Sequence, residues 1–296
     1  MDKQREESTD GPEEARGFGG FLRSLLHGIP WSESAHSEYS FRIDPPEGRY
    51  MTIHNANGKT RVVGEERDDI EVFVEKRARG ETPEAANEVL DEIELLSHEV
   101  AGHLEIEVEA PRRWKRHGST DLVIHVPQDI EVAVVSANGR VGIEGLRSPV
   151  HARSSNGPIA ISDIIGDVQV FTSNAKVTCN CTSGCLKARS SNGKILLDQH
   201  RGSVDASTSN GIIQVILSEI GAEGVALATS NGRVILELPE GADCDVDIRV
   251  ENGVIRNSLD IEQAAADDRS GRLRGRLGQG GVPIRLRTSN GTVSLR

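Results

Sequence analysis

Three cysteines that lie close together, Cys179, Cys181 and Cys185, are the first candidates for metal or redox chemistry. Structural zinc sites commonly use cysteine pairs separated by two residues, whereas the spacing here is C-x-C-x3-C. The alternation of the surrounding residues predicts that Cys179 points into a core, that Cys181 lies in a turn and that Cys185 points outward. We expect structural thiols without a disulfide framework, and a zinc or redox site is the alternative. Cys244 lies too far along the chain to join them.

A histidine pair, His98 and His103, is the second candidate, because His98 and Glu99 begin like the H-E-x-x-H motif of zinc proteases. That motif places its histidines four residues apart on one helix. Here the spacing is five, and the second histidine runs into a predicted strand. The sequence therefore predicts no metalloprotease centre, and we expect no catalytic residue, metal site or cofactor elsewhere.

Three aspartates, Asp243, Asp245 and Asp247, alternate along a predicted strand and so share one face. An EF-hand loop would need glycine where Ile248 stands and glutamate where Val254 stands. The sequence also lacks the glycine- and aspartate-rich nonapeptide of calcium β-rolls. We expect a solvated acidic strand, and weak calcium binding is the alternative.

Two basic islands offer phosphate or nucleic-acid chemistry. They are Arg112, Arg113, Trp114, Lys115 and Arg116, and Arg269, Arg272, Arg274 and Arg276. The stretch GRLRGRLGQGG lacks the Lys-Ser/Thr ending of a nucleotide-binding P-loop. The formal net charge of −12 argues against nucleic acid and against strong attraction to anionic lipid. We interpret both islands as solvated loops and expect no nucleic-acid partner, and phosphate contact is the alternative.

A repeat sets the elements that must position these residues. From Ser136 to Ser207 the chain reads as four 18-residue segments, SANGRVGIEGLRSPVHAR, SSNGPIAISDIIGDVQVF, TSNAKVTCNCTSGCLKAR and SSNGKILLDQHRGSVDAS. Two 21-residue units and one longer unit follow, and TSNGTVSLR closes the chain. A strict period of this size is the signature of a repeat architecture.

Apolar residues recur at fixed positions within each unit. In the first unit they are Val141 and Ile143, then Val150 and Ala152. Alternation with period two predicts two short strands per unit. A lone unit buries too little apolar surface to offset the entropy of ordering its backbone, so units must stack. With aromatic residues at only 3 % of the chain, we predict an all-β parallel β-helix, or β-solenoid, with two strands per coil of 18–21 residues.

An Asn-Gly corner precedes the first strand of each unit, as at Asn138 and Asn156, and Ala175 is the one break in its glycine column. Glycine can take the positive φ of a sharp bend. Stacked asparagines can hydrogen-bond amide to amide along the stack. We interpret the corner as a structural turn, and a sugar- or ice-binding ladder is the alternative.

The remaining segments predict the domain boundaries. Residues 1–37 read as a disordered acidic tail with a short amphipathic helix over 18–31. This helix either covers the protein's own surface or contacts a membrane or partner, and we expect no other membrane contact. The solenoid domain spans 38–296, with a helical insertion at about 82–97, capped by Thr82, and a loop insertion at about 260–281. The tail lacks the apolar core of a signal peptide, which predicts a cytoplasmic protein.

Several stretches together resemble a bacterial family of putative adhesins, a domain of unknown function. They are NANGKTRVVG, LVIHVP ending at Pro127, the SSNG and TSNG corners, LELPEGADCDVDIRVENGVI and RLGQGGVPIRLRTSNGTVSLR, within Tyr39–Arg296. The resemblance implies a parallel β-helix with a surface or scaffolding role, and it brings no known catalytic residues.

We therefore expect a non-enzymatic interaction or scaffold protein that binds another protein or a glycan. The alternative is a polysaccharide-active β-helix enzyme, which would need carboxylates and basic residues converging on one face across neighbouring coils. Exposed solenoid ends offer a route to oligomers.

Overall fold

The computed structural model describes residues 33–111, 113, 117–267 and 271–296, so the predicted 18–31 helix lies outside the described residues. The described part of the chain is all-β with one short helix, α1, at Pro83–Asp91. Within the described ranges, no helix is long and apolar enough to cross a membrane. The eighteen strands are β1 (Glu33–Ile43), β2 (Tyr50–Asn55), β3 (Thr60–Glu65), β4 (Ile70–Gly80), β5 (Glu94–Val100), β6 (His103–Glu109), β7 (Gly118–Pro127), β8 (Glu131–Ser136), β9 (Val141–Glu144), β10 (Val150–Ser154), β11 (Ile159–Ile165), β12 (Val168–Thr172), β13 (Val177–Ser190), β14 (Ile195–Glu237), β15 (Cys244–Asn257), β16 (Glu262–Asp267), β17 (Arg272–Leu277) and β18 (Val282–Leu295).

The strands form two parallel ladders. We call the strands that precede the asparagine corners the before-corner ladder, and those that follow the corners the after-corner ladder. In the before-corner ladder, Val150 of β10 lies opposite Val132 of β8 and Val168 of β12. In the after-corner ladder, Ile159 of β11 lies opposite Val141 of β9. These partners are 18 residues apart, so the period of the sequence is the register of the sheet, which stays long and open.

The inward positions of both ladders form one hydrophobic core. The repeated apolar positions are closed to solvent, as at Val141, Val177 and Ile195. Cys179 occupies one of these positions and is also fully buried. Because the core residues are aliphatic and stacked in columns, the chain builds a continuous core without aromatic side chains.

The order of strands in space departs from the order along the chain at both ends. The last strand, β18, lies between β14 and β15. At the other end, β2 lies between β6 and β8, and β3 lies between β7 and β9. The final TSNGTVSLR segment therefore fills an internal position with both edges paired, although it closes the chain.

Antiparallel strands cover the outer ladders. β4 lies on β7, and β1 lies on β4. β5 lies on β6, β17 lies on β15, and β16 lies on β17. Strand β1 begins at Glu33, so residues 33–37, which the sequence placed in the tail, belong to the sheet.

Both predicted insertions need correction. The helical insertion expected at about 82–97 ends at Asp91, and β5 begins at Glu94. Thr82 caps α1 as predicted, since its hydroxyl accepts a hydrogen bond from the backbone N–H of Ala85 at 3.2 Å. The loop expected at about 260–281 is an antiparallel hairpin of β16 and β17. In both places the local sequence pattern predicted a helix or a loop. The segments instead pair with an edge of the sheet and form strands.

The corner asparagines form a continuous row of hydrogen-bonded amides. Each Nδ2 donates to the Oδ1 of its neighbour at 2.8–3.2 Å, in the order Asn252, Asn290, Asn231, Asn210, Asn192, Asn174, Asn156, Asn138 and Asn57. The predicted amide-to-amide bonding is therefore present. The row follows the spatial order of the strands, with Asn290 between Asn231 and Asn252.

The corner glycines are required chiefly by close approach. Gly291 and Gly58 have the predicted positive φ, at 147° and 121°. Gly139 and Gly157 do not, yet a Cβ added at Gly157 would lie 1.6 Å from the carbonyl oxygen of Gly139. The stacked backbones leave no room for a side chain there.

Candidate functional site

The three neighbouring cysteines lie on β13 and differ in burial. Cys179 is buried and Cys185 is exposed, as the strand register predicted. Cys181, predicted to lie in a turn, is an exposed residue within β13 with a φ of 50°, and all four cysteines are free. Burial raises the pKa of the Cys179 thiol to about 12. Partial desolvation and the nearby carboxylates of Asp167 and Glu223 also raise the pKa of Cys185. Both shifts favour the protonated thiol in Cys179 and Cys185, which is unfavourable for nucleophilic attack.

The histidines of the rejected protease motif lie on adjacent strands. His98 of β5 contacts Glu105 at 3.2 Å, and His54 of β2 contacts the other oxygen of the same carboxylate at 3.4 Å. His103 instead lies 2.9 Å from the hydroxyl of Thr52. Within the described residues, no group of three histidine, cysteine or acidic side chains is arranged to hold a metal ion.

The three aspartates hold the end of the sheet together. Asp243 accepts a hydrogen bond from the backbone N–H of Gln279 at 2.7 Å, and Asp245 accepts one from Gly281 at 3.2 Å. Asp247 contacts arginine side chains. The strand is therefore not a free solvated one, because its carboxylates secure the turn between β17 and β18.

The second basic island converges on Asp247. Because β17 runs antiparallel beside β15, Arg274 and Arg272 come within 3.2 Å and 3.4 Å of the Asp247 carboxylate. Arg276 lies 3.7 Å from Asp245 instead. Arg269 lies outside the described residues, as do all members of the first island except Arg113, which bonds to Glu92.

Three further arginines, which the sequence pattern did not single out, complete this group. Arg249 of β15 lies opposite Arg287 of β18 on one side and opposite Arg272 of β17 on the other. Arg285 of β18 lies opposite Asp247. The available signal was the alternation of arginine in PIRLRT, which places Arg285 and Arg287 on one face. We call the group Arg249, Arg272, Arg274, Arg285 and Arg287 the arginine cluster.

The cluster holds more positive charge than its carboxylate neutralises. Partial burial acts to raise the pKa of Asp247, but hydrogen bonds from Arg249, Arg274 and Arg272 outweigh it and hold the pKa well below its usual range. Asp247 is therefore ionised and already paired. In the part of the chain that the structure describes, the exposed side chains of Arg285 and Arg287 have no ion partner.

The arrangement is electrostatically costly. Neighbouring strands lie about 4.8 Å apart, and like charges directly opposite each other destabilise a sheet. Arg287, Arg249 and Arg272 form such a row across three strands. An anion bound over the row would relieve the repulsion, and planar guanidinium groups suit carboxylate, sulfate or phosphate oxygens.

Two shallow grooves border the cluster. One of about 520 Å³ is lined by Asp245, Asp247, Arg274, Arg276 and Arg285, among others. The other, of about 450 Å³, lies beside the corner row and is lined by Arg249, Arg287 and Glu251 and by several hydroxyl groups, among them Ser207, Ser209, Ser230 and Ser289. The second groove combines positive charge with hydrogen-bonding groups in one open surface.

The opposite end of the before-corner ladder is acidic. A cavity of about 840 Å³ there is lined by Glu92, Glu94, Glu107 and Glu109, among others. Glu94 of β5 lies directly opposite Glu109 of β6. The outward face of the before-corner ladder therefore changes from negative to positive along its length. The net charge of the whole chain gives no sign of this separation.

Most of the chain matches a known family. Residues 49–296 match the Toastrack DUF4097 family. This range includes both ladders from β2 onward and all of the arginine cluster. No curated protein matches the chain.

Several solved structures are similar to this chain at low sequence identity. A putative adhesin from Bacteroides fragilis NCTC 9343 is 11 % identical with a TM-score of 0.50, over 88 % of this chain and 97 % of the other. A putative adhesin from Parabacteroides distasonis ATCC 8503 is 8 % identical with a TM-score of 0.43, over 87 % and 97 %. A putative lipid binding protein from the same organism is 10 % identical with a TM-score of 0.30, over 88 % and 97 %. The similarity to the Bacteroides fragilis structure is a similarity of fold alone.

Proposed function

Since this chain belongs to the Toastrack DUF4097 family, whose domain is β-solenoid-like, we propose that it is a non-enzymatic scaffold that binds an anionic macromolecule through the arginine cluster. The carrying observation is the row of like-charged side chains Arg287, Arg249 and Arg272 on one open face. A fold stabilised by its core does not need this row, and its repulsion opposes folding.

The finer architecture that we propose is a parallel β-helix in which each coil contributes one strand to each ladder. The support is that β13 pairs with β14 in one constant register, from Val177 opposite Ile195 to Ser190 opposite Thr208, with a break at Cys181 and Thr182. Each pair is 18 residues apart, on both sides of that break. Such a stack presents its outward side chains in straight rows along the axis, which suits an extended partner.

A binding role also agrees better with the chemistry of the cluster than the alternative, a polysaccharide-active enzyme. An enzyme of that kind needs carboxyl groups matched to proton transfer near neutral pH. Three arginines keep the Asp247 carboxyl group ionised. The Asp245 carboxylate accepts a hydrogen bond from the backbone N–H of Gly281. The B. fragilis protein of similar fold is named as a putative adhesin, which is a binding role.

Retention on a sulfonate cation-exchange matrix at pH 7 and low salt tests this proposal. A protein with a net charge of −12 is retained only if a concentrated positive surface faces solvent. We expect the wild type to be retained and the Arg285→Ala/Arg287→Ala variant to elute earlier.

The matched control is Arg147→Ala/Arg201→Ala. It removes the same charge from two exposed arginines outside the arginine cluster, Arg147 before β10 and Arg201 within β14. It should elute like the wild type apart from the small shift due to net charge. If the wild type passes through unretained, or if both double variants shift equally, the cluster is not an anion-binding surface.

A further inference from the structure

We propose that the anionic partner is an acidic polysaccharide, a polymer of uronate-type sugars, that lies along the solenoid axis over a row extending from the arginine cluster. This inference rests on the proposed function and specifies its partner. It is carried by three features of the outward face of the before-corner ladder: its line of charge, an exposed aromatic ring within that line, and the hydroxyl groups beside it.

The first feature is that basic side chains continue along the axis beyond the cluster. Arg153 of β10 lies opposite Phe171 of β12, and Phe171 lies opposite Arg189 of β13. Lys187 is two residues before Arg189 on the same face. We call Arg153, Lys187, Arg189 and the arginine cluster the basic track.

The carboxylates beside the track are Asp205, Asp247 and Glu251. Asp205 is paired with Arg189 and lies opposite Lys187, and Asp247 lies within the cluster. The described residues show no ion partner for the exposed Arg153 and Lys187. Toward the acidic end, the track ends where His151 contacts Glu131 at 3.3 Å. Basic side chains of the track therefore lie on β10, β13, β18, β15 and β17, and none lies on the two stretches of β14 between β13 and β18.

The middle of the track is open. Between Arg189 and Arg287 the same outward row is occupied by Ser207 and Ala228. Ala226 lies beside Arg285 in the next row. The small side chains leave a shallow surface between two groups of cations. An extended polysaccharide can lie there close to the protein backbone, with its carboxylates near the cations at either end.

The second feature is Phe171, a residue that is 38 % exposed and lies between Arg153 and Arg189. An exposed phenylalanine offers a flat apolar face that packs against the apolar face of a sugar ring. A guanidinium on each side can then hold carboxylates by paired hydrogen bonds. Single-stranded nucleic acid also uses aromatic rings and cations, but it stacks successive bases on several rings. Phe171 is the one aromatic residue of the described track, which favours the glycan.

The third feature is the supply of neutral hydrogen-bonding groups along one side of the track. The serine-lined groove of about 450 Å³ meets Arg249 and Arg287. The asparagine row runs parallel to it, one corner away. A polymer that carries many hydroxyl groups and regularly spaced carboxylates matches both sets of donors and acceptors, whereas an acidic polypeptide presents few hydroxyl groups.

The experiment is an isothermal titration of the full chain with polygalacturonate oligomers at pH 7. Each lost guanidinium–carboxylate contact should weaken binding about tenfold. We therefore expect about a hundredfold loss for Arg285→Ala/Arg287→Ala, a smaller loss for Phe171→Ala, and no change for the control Arg147→Ala/Arg201→Ala. Circular dichroism and urea unfolding verify that each variant is folded.

Titrations with other polymers show which class of anionic polymer the surface prefers. Neutral dextran should not bind, and poly-glutamate and single-stranded DNA should bind more weakly than polygalacturonate and without dependence on Phe171. If poly-glutamate or DNA binds more tightly, the partner is another macromolecule and the glycan inference fails, while the proposed anion-binding function stands. Self-association that the Arg285→Ala/Arg287→Ala variant abolishes would instead assign the cluster to the acidic end of a second copy. Failure of every polyanion to bind would overturn both.

Discussion

Removing the last strand should have a much larger effect than its position in the chain suggests. A chain truncated after Gly281 lacks β18, which lies between β14 and β15. The strand buries Ile284, Leu286, Val293 and Leu295 completely. Burial of a large aliphatic side chain contributes about 1.5–3 kcal/mol, so their loss amounts to roughly 6–12 kcal/mol. This is comparable to the whole stability of a typical domain, about 5–15 kcal/mol.

The assay is hydrogen–deuterium exchange combined with urea unfolding. We expect the truncated chain to lose amide protection in β15 and β17, because β18 is the strand that joins them to β14. The protein should unfold at lower urea, or fail to fold. The matched control deletes 33–43, an outer strand that pairs on one side with β4, and should have a smaller effect. Full protection of β15 in the truncated chain would refute the strand order described above.

Three other changes test the stacked architecture by urea unfolding. Gly157→Ala should destabilise by more than about 3 kcal/mol, because its Cβ would meet the Gly139 carbonyl at 1.6 Å; Gly142→Ala, with its nearest contact at 3.9 Å, should be nearly neutral. Burial lowers the pKa of His200, so the unfolded state binds more protons and stability should fall as the pH drops below about 6.5, the ordinary pKa of histidine. Deleting the 18-residue unit 190–207 should leave a shorter folded solenoid, whereas deleting nine residues should unfold it.

Each of these outcomes has a clear opposite. Equal stability of the two glycine variants would mean that the corners are not in close contact. An unchanged pH dependence after His200→Gln would show that this histidine does not titrate on unfolding. Equal behaviour of the 18-residue and nine-residue deletions would contradict the proposal of two strands per coil.

The central part of the fold could be predicted from the sequence because the repeat is local and strict. The period places Val141, Ile159 and Val177 in one column, and the strands pair in that register. The inward position of Cys179 follows from the same rule. Within the 18-residue units, period and alternation leave one arrangement that buries the apolar face.

The ends could not be predicted in the same way. The units around Asn252 and Asn290 have the same corner, so either can pair with the unit around Asn231, and the local pattern does not distinguish them. Residues 94–97 follow a helical spacing, yet pairing with β6 draws them into a strand. Long-range pairing of exposed sheet edges decides these regions.

The candidate site was accessible to sequence reasoning only in part. The basic residues of GRLRGR were evident, but they were interpreted as a solvated loop. Their meaning depends on β17 folding back beside β15, which places Arg272 and Arg274 next to Arg249. It depends equally on the insertion of β18, which adds Arg285 and Arg287. Both are long-range events that leave little trace in the local spacing.

The most direct measurement of the central claim is the salt dependence of polygalacturonate binding. Between about 0.01 M and 1 M salt the Debye length falls from about 30 Å to about 3 Å, which screens contacts between exposed charges. We expect the affinity of the wild type to fall steeply with salt, and the dependence to be distinctly shallower for Arg285→Ala/Arg287→Ala but unchanged for Arg147→Ala/Arg201→Ala. Binding that is insensitive to salt, or equally sensitive in all three proteins, would contradict the assignment of this face as the binding surface.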